Sequence, residues 1–253
     1  MVDRNEGLGT VWVVGASSGI GASFARLIDG AADHVAVSAR SKDKLDSMET
    51  DGRSLAAFPL DVTSESAVAE TAEAIEARFG SIDLVVICSG LWWMMPSDDL
   101  DIGKMRAAMD VNFFGAVNTV KAVLPGMKRR RRGHIVLVAS VAGYRGLPNA
   151  AAYGPTKAAL MNLAETLKSD LERFGIDISI VNPGFVDTPM TQANSFDMPG
   201  IISADDAARQ MLAGIRRKRF AILFPAVFAN AVRLGNILPN WLFFWGMRRM
   251  MRR

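Results

Sequence analysis

The chain has 253 residues, half of them hydrophobic and 22% charged, which excludes a disordered chain and suits one α/β domain with a sizeable core. Its formal net charge of +3 is uneven, because residues 226–253 hold five arginines and no acidic residue; the rest, with 24 basic against 26 acidic side chains, is mildly acidic. The one basic run of that body, "KRRRR" at Lys128–Arg132, has no interleaved aromatics and reads as a solvated turn, so nucleic acid is not an expected partner.

In chain order, short apolar segments alternate with longer amphipathic ones. The predicted strands are "TVWVVG" at 10–15, "HVAVSA" at 34–39, "LAAFPL" at 55–60, "DLVVICSG" at 83–90, "HIVLVAS" at 134–140, "DISIVNPG" at 177–184 and "RFAILFP" at 219–225. Helical periods lie between them, such as "ESAVAETAEAIEARF" at 65–79 and "AALMNLAETLKSDLERF" at 158–174. Alternation of this kind predicts a doubly wound Rossmann fold, a seven-stranded parallel sheet with helices on both faces. Residues 1–225 form the expected single α/β domain, and 226–253 a helical, basic and aromatic C-terminal extension. Cys88 is the sole cysteine, which precludes an intrachain disulfide and fits a reducing compartment; "MVDRNEGLGT" has no apolar core of export-signal type, so a cytoplasmic location is expected.

At the first strand–helix junction, "VVGASSGIGASFARLI" places Gly15, Gly19 and Gly21 where a backbone must turn tightly and approach a pyrophosphate at a helix N-terminus. The second strand ends in Ala39 and Arg40, where an NAD site usually carries an acid for the ribose hydroxyl. A cation there favours the 2′-phosphate of NADP(H). His34 and His134 both sit at predicted strand starts, away from the ligand-binding edge, and with no His–Glu clustering no metal is expected.

"GASSGIG", with "LDV" at 60–62, "VN" at 111–112, "VAS" ending at Ser140, "YGPTK" at 153–157 and "NPGFVDTPM" at 182–190, resembles the short-chain dehydrogenase/reductase family over residues 10 to 225. One element departs: where that family carries Asn-Asn-Ala-Gly, this chain has "ICSG" at 87–90, which removes an asparagine that braces the central strand. The resemblance implies Tyr153 as proton donor, Lys157 as ribose ligand and neighbouring cation, Ser140 as the hydroxyl on the substrate oxygen, and Asn112 as support for a water relay. It implies cofactor contacts at Gly15, Ser17, Ser18, Gly19, Ile20, Gly21, Arg40, Asp61, Val62, Ser89, Gly90, Tyr153, Lys157, Pro183, Gly184, Val186 and Thr188. Lys157 stands one helical turn beyond Tyr153, so an ammonium there is expected to lower the phenol pKa, and Pro155 suits a helix that begins just before it. Tyr144 has no lysine four residues on and is read as a packing or pocket-wall residue.

These features imply an NADPH-dependent carbonyl reductase, equivalently an alcohol dehydrogenase in reverse, working as a homodimer or homotetramer. A mobile lid is expected over 188–203, and Trp92, Trp93, Met94 and Met95 offer an apolar substrate wall, although packing under the lid or against another subunit fits them equally. In the extension, Arg248, Arg249, Arg252 and Arg253 are expected on one helical face with Met247, Met250 and Met251 opposite, after first turns apolar all round. That pattern suits peripheral contact with an anionic membrane, and the alternative is packing on a partner subunit. An apolar pocket beside a membrane segment points to a lipid-like ketone, as in the resembling 3-ketosphinganine reductase branch. Two alternatives stand beside this reading: a reductase of small soluble carbonyls or sugars with an assembly tail, and a non-catalytic NADP(H) sensor or scaffold.

Overall fold

The structure, a computed structural model, describes residues 7–51, 55–192, 198 and 200–251. Seven apolar segments become strands: β1 (Thr10–Val14), β2 (His34–Ser38), β3 (Leu55–Ala57), β4 (Leu84–Ile87), β5 (Gly133–Val138), β6 (Ile176–Pro183) and, after a short ribbon of β7 (Val186–Asp187) and β8 (Ile202–Ser203), β9 (Ala221–Phe224). All seven pair in parallel in the order β3-β2-β1-β4-β5-β6-β9. Each return to the sheet therefore needs a crossover, and the intervening segments are the helices.

Alternate residues of β1 show why both faces must be covered. Val11 and Val13 point into one core with α1 (Gly19–Ile28), α2 (Lys42–Asp51) and α8 (Ala204–Arg216); Trp12 and Val14 point into the other with α3 (Glu65–Phe79), α5 (Gly115–Arg130) and α6 (Gly154–Leu171). Trp12 is fully buried, and its indole Nε1 donates to Ser38 Oγ at 2.9 Å, so its polar handle is satisfied inside the core. Helix starts follow their caps: Ser64, Asp101 and Ser203 accept from Ala67 N, Lys104 N and Asp206 N. Asp101 opens α4 (Ile102–Met109), which continues through a π turn at Asp110–Phe114 into α5.

The strands end earlier than their apolar patterns. Val14 lies opposite both Ser38 and Ile87, and Ile87 opposite Leu137, so the C-terminal ends of four strands are nearly level. Beyond that line the chain leaves the sheet at Gly15, Ala39, Cys88 and Ala139. Those residues looked like strand because they are apolar; they line a cleft at the β1–β4 position, where the strand order reverses. At the opposite edge the basic run closes α5: Arg130 pairs with Glu76 at 3.2 Å, Arg132 with Asp83 at 2.8 Å, and Lys128 lies over the Phe174 ring. Cations there also face the negative end of the helix dipole.

The extension is helical: α9 (Ala226–Gly235) follows β9 and α10 (Asn240–Met251) follows a short turn. Among the described residues no helix is long and apolar enough to cross a membrane. The side chains of Met250 and Met251 and the whole of Arg252 and Arg253 lie outside the described residues, as do residues 193–197 and 199 of the expected lid.

His134 is buried in β5. Ser179 Oγ donates to Arg219 O at 2.7 Å, so at its 2.8 Å contact with His134 it accepts, and His134 Nε2 carries the proton. Burial pushes this imidazole down to about 4, against the pull of Asp177. The unfolded histidine, near 6.5, takes up a proton first, so stability from this site is complete above about pH 6.5 and lost as pH falls toward 4. Thermal unfolding across that range should show a loss of about 2–3 kcal/mol that His134→Gln reduces; an unchanged slope would contradict the burial argument.

Candidate active site

The cleft begins where β1 stops. Gly15 has φ +87°, and a Cβ there would lie 2.5 Å from Ser89 N, so the backbones of the β1 and β4 loops touch only because no side chain separates them. Gly21 closes the same turn from above: a Cβ on it would collide with Gly15 O. Ser18, the N-cap of α1, has extended backbone and no side-chain capping bond, which leaves the positive end of α1 directed at the cleft. Ser89 Oγ is buried without a hydrogen-bond partner among the described residues. A glycine cradle, an uncapped helix start and an orphaned hydroxyl fit a dinucleotide pyrophosphate.

The cleft has a volume of about 410 Å³. Each of the seventeen residues expected at the cofactor, from Gly15 to Thr188, lines it, as does Ser140. Asp61 stays ionised: its carboxylate accepts from Thr63 N and Thr63 Oγ1, and these bonds, with the nearby Arg40 charge, hold it below the usual carboxylate range.

Across the cleft, α6 begins at Gly154 with Pro155 in its first turn, as the sequence implies, and presents Tyr153 and Lys157 on one side. Ser140 ends the chain segment leaving β5; its hydroxyl accepts from Ala142 N at 3.2 Å and lies close enough to the Tyr153 phenol to favour its ionised form. Lys157 is 3% exposed, and its ammonium donates to Val138 O at 2.8 Å and sits 5.4 Å from the Tyr153 ring centroid. Asn112 does not line the cleft. It lies in the π turn, 1% exposed, where Oδ1 accepts from Leu91 N at 2.6 Å while Nδ2 donates to Leu91 O and to Thr156 Oγ1, both at 3.0 Å. Thr156 Oγ1 in turn donates to Tyr153 O at 2.7 Å. The amide thus ties the loop after β4 to the first turn of α6.

One electrostatic expectation fails. Burial pushes the Tyr153 phenol up to about 12, offset in part by the Ser140 hydroxyl, so the net shift is upward where a downward one was expected. Burial also drives Lys157 down to about 8. Desolvation, the charged form being disfavoured where protein atoms surround it, sets the direction of both shifts.

The matching family model, short chain dehydrogenase, covers residues 9–198. The chain belongs to that family. An oxidoreductase of Myxococcus xanthus is 36% identical over 245 residues, covering 95% of this chain and 97% of that one. Human retinol dehydrogenase 8 is 38% identical over 204 residues, 76% of this chain and 65% of its own. Among solved structures, a short-chain dehydrogenase from Streptomyces avermitilis superimposes with a TM-score of 0.82 at 24% identity, covering 96% of this chain and 98% of that one, a likeness of fold. The chain is therefore an oxidoreductase of the short-chain dehydrogenase family, whose members act on CH–OH or C=O groups with a nicotinamide cofactor.

The short-chain dehydrogenase divides its expected apolar wall. Trp92 meets the Tyr153 ring edge-on, centroids 5.2 Å apart at 85°. Met95 instead is buried with Ala108 and Ala152, Trp93 packs against that cluster, and Met94 is 40% exposed. Tyr144 is not among the residues lining the cleft, and its hydroxyl accepts from Asn182 Nδ2 at 3.1 Å. The lid region holds a short helix, α7 (Pro189–Gln192), and ends in β8 paired to β7, a ribbon too short for periodicity to announce. Sequence reasoning missed Ser41 and Lys44, which line the cleft beside Arg40, and Thr156, a hydroxyl already visible inside "YGPTK".

Gly15→Ala forces a Cβ against Ser89 N at a positive φ. It should cost at least about 1–3 kcal/mol of stability and weaken dinucleotide binding; a variant that binds cofactor as the parent does in a fluorescence titration would refute the cradle.

Proposed function

We infer that this enzyme reduces a ketone with NADPH and that the ketone is apolar and lipid-like. What carries the reading is one cleft with opposite chemistries at its two ends. Arg40, Ser41 and Lys44 gather cations and a hydroxyl at one end, while Ser140, Tyr153 and Lys157 gather a proton donor, an orienting hydroxyl and a cation at the other. A 2′-phosphate is a strong acceptor for the first set, and an NAD ribose gives those cations no charge to meet. Apolar preference rests on Trp92 against Tyr153, on Met190 in the cleft lining, and on the alcohol named in one relative, retinol dehydrogenase 8, since retinol is largely hydrocarbon.

When bound, the nicotinamide supplies the hydride chemistry. The chain's residues handle the proton. With its pKa pushed up to about 12, Tyr153 is protonated throughout the physiological range and holds the proton that a reduced carbonyl oxygen takes up. Its proton passes to the carbonyl oxygen as negative charge develops there, with Ser140 orienting that oxygen. The phenolate left behind is stabilised by the Lys157 ammonium, which is present below its pKa of about 8 and lost as pH rises through it.

Three outcomes test this. Tyr153→Phe should lower kcat about 10²- to 10⁴-fold while NADPH still binds; unimpaired turnover would remove Tyr153 as the donor, and NADPH binding without turnover in the parent would favour a sensor or scaffold. Reductive kcat/KM should be level below pH about 8 and decline above it. Arg40→Ala with Lys44→Ala should weaken NADPH binding about 10- to 100-fold and leave NADH nearly unchanged, whereas equal losses for both would remove the NADPH assignment.

A further inference from the structure

We propose that the α9–α10 hairpin is a docking surface for an anionic lipid bilayer, strapped by Arg145 to the loop that carries Ser140. The inference deepens the lipid-ketone reading and rests on it for its purpose, though the docking itself needs no turnover.

The first observation is where apolar surface is left in water. Of the twelve large hydrophobic side chains exposed among the described residues, six fall between positions 234 and 245: Leu234, Ile237, Leu238, Trp241, Phe244 and Trp245. Trp241 is 71% exposed and Ile237 78%. On α10 the exposed residues Trp241, Phe244, Trp245, Arg248 and Arg249 follow i, i+3, i+4, i+7, i+8, one face of a helix, while Leu242, Phe243 and Met247 are half-buried. That face begins in aromatics and ends in cations, and Arg249 lies 5.9 Å over the Trp245 ring.

Charge selects the occupant. The extension contains no acidic residue, and Arg233, Arg248 and Arg249 are all exposed. A second copy meeting this face through a two-fold axis brings no acidic side chain of α9 or α10 to pair with these cations. An anionic bilayer accepts both halves of the pattern: headgroups take the guanidinium ions, and the tryptophan rings settle at the boundary between headgroup and acyl chain. The helix is too short to span.

Arg145 fixes where the surface sits. Its guanidinium donates to Gly235 O at 3.0 Å, Leu238 O at 2.8 Å and Asn240 Oδ1 at 2.5 Å, and lies 4.0 Å from the Phe243 ring centroid. These acceptors include carbonyls left over where α9 ends, so one side chain satisfies the turn and holds α10 by its inner aromatic. Arg145 stands five residues after Ser140, and α9 packs on the intervening Val141–Gly143 turn. The docking face is thereby held at the end of the sheet that carries the cleft.

The test is co-flotation of the full chain with vesicles of phosphatidylcholine containing phosphatidylglycerol, against phosphatidylcholine alone. The expected result is flotation with the anionic vesicles about tenfold or more above the neutral ones, weakened by salt. Trp241→Ser with Trp245→Ser, and separately Arg248→Ala with Arg249→Ala, should each cut it about tenfold while reduction of a short soluble ketone is kept. Absence of flotation, or flotation indifferent to both pairs, overturns the proposal. So does a dimer seen by sedimentation that both pairs dissolve, which would assign the face to a second copy. Flotation without reduction of any ketone leaves the docking standing and removes the reductase reading instead.

Discussion

A buried ammonium bound to a peptide carbonyl is the constraint around which this active site is arranged. Taking an isolated cation out of water costs several kcal/mol unless hydrogen bonds replace its hydration. Lys157 has Val138 O as that replacement, so β5 must end where it does and α6 must cross it at that height. The same placement brings Tyr153 beside Ser140 and puts Thr156 within reach of Asn112. The depressed lysine and the elevated phenol are two consequences of one fact, that protein atoms crowd both groups.

Much of the fold was legible from periodicity. Helix α3 spans the residues its pattern marks, the parallel sheet follows from alternation, and α6 starts where Pro155 permits. The discrepancies share a cause. A one-dimensional pattern records that a residue is apolar but not whether its backbone is still paired, so Ala39, Cys88 and Ala139 read as strand although they turn out to line the cleft. Long-range juxtaposition is likewise silent: nothing in "SKDK" announces that Lys44 shares a cleft with Tyr153, and nothing in "GYRG" announces that Arg145 holds a turn ninety residues on.

The electrostatics were misjudged for a related reason. Spacing of four places a lysine near a tyrosine, and Coulomb's law then argues for an acidic phenol. The burial that opposes it depends on Trp92, on the loop after β4 and on the strand ends, none of which a local motif contains. Burial of this kind also leaves Cys88 a protonated thiol, its pKa pushed up to about 12. A soft neutral side chain there leaves the charge pattern of the cleft to Arg40, Lys44, Asp61 and Lys157.

The Asn112 amide gives the replaced family asparagine at positions 87–90 a different meaning. By accepting from Leu91 N and donating to Leu91 O, it offers this residue the donor–acceptor pair that a neighbouring strand would present. A side chain thus serves as a strand one residue long, continuing the central ladder past the point where the backbone sheet stops. The π turn supplies the offset that aims it, so a helical irregularity and a missing strand partner are complementary halves of one joint.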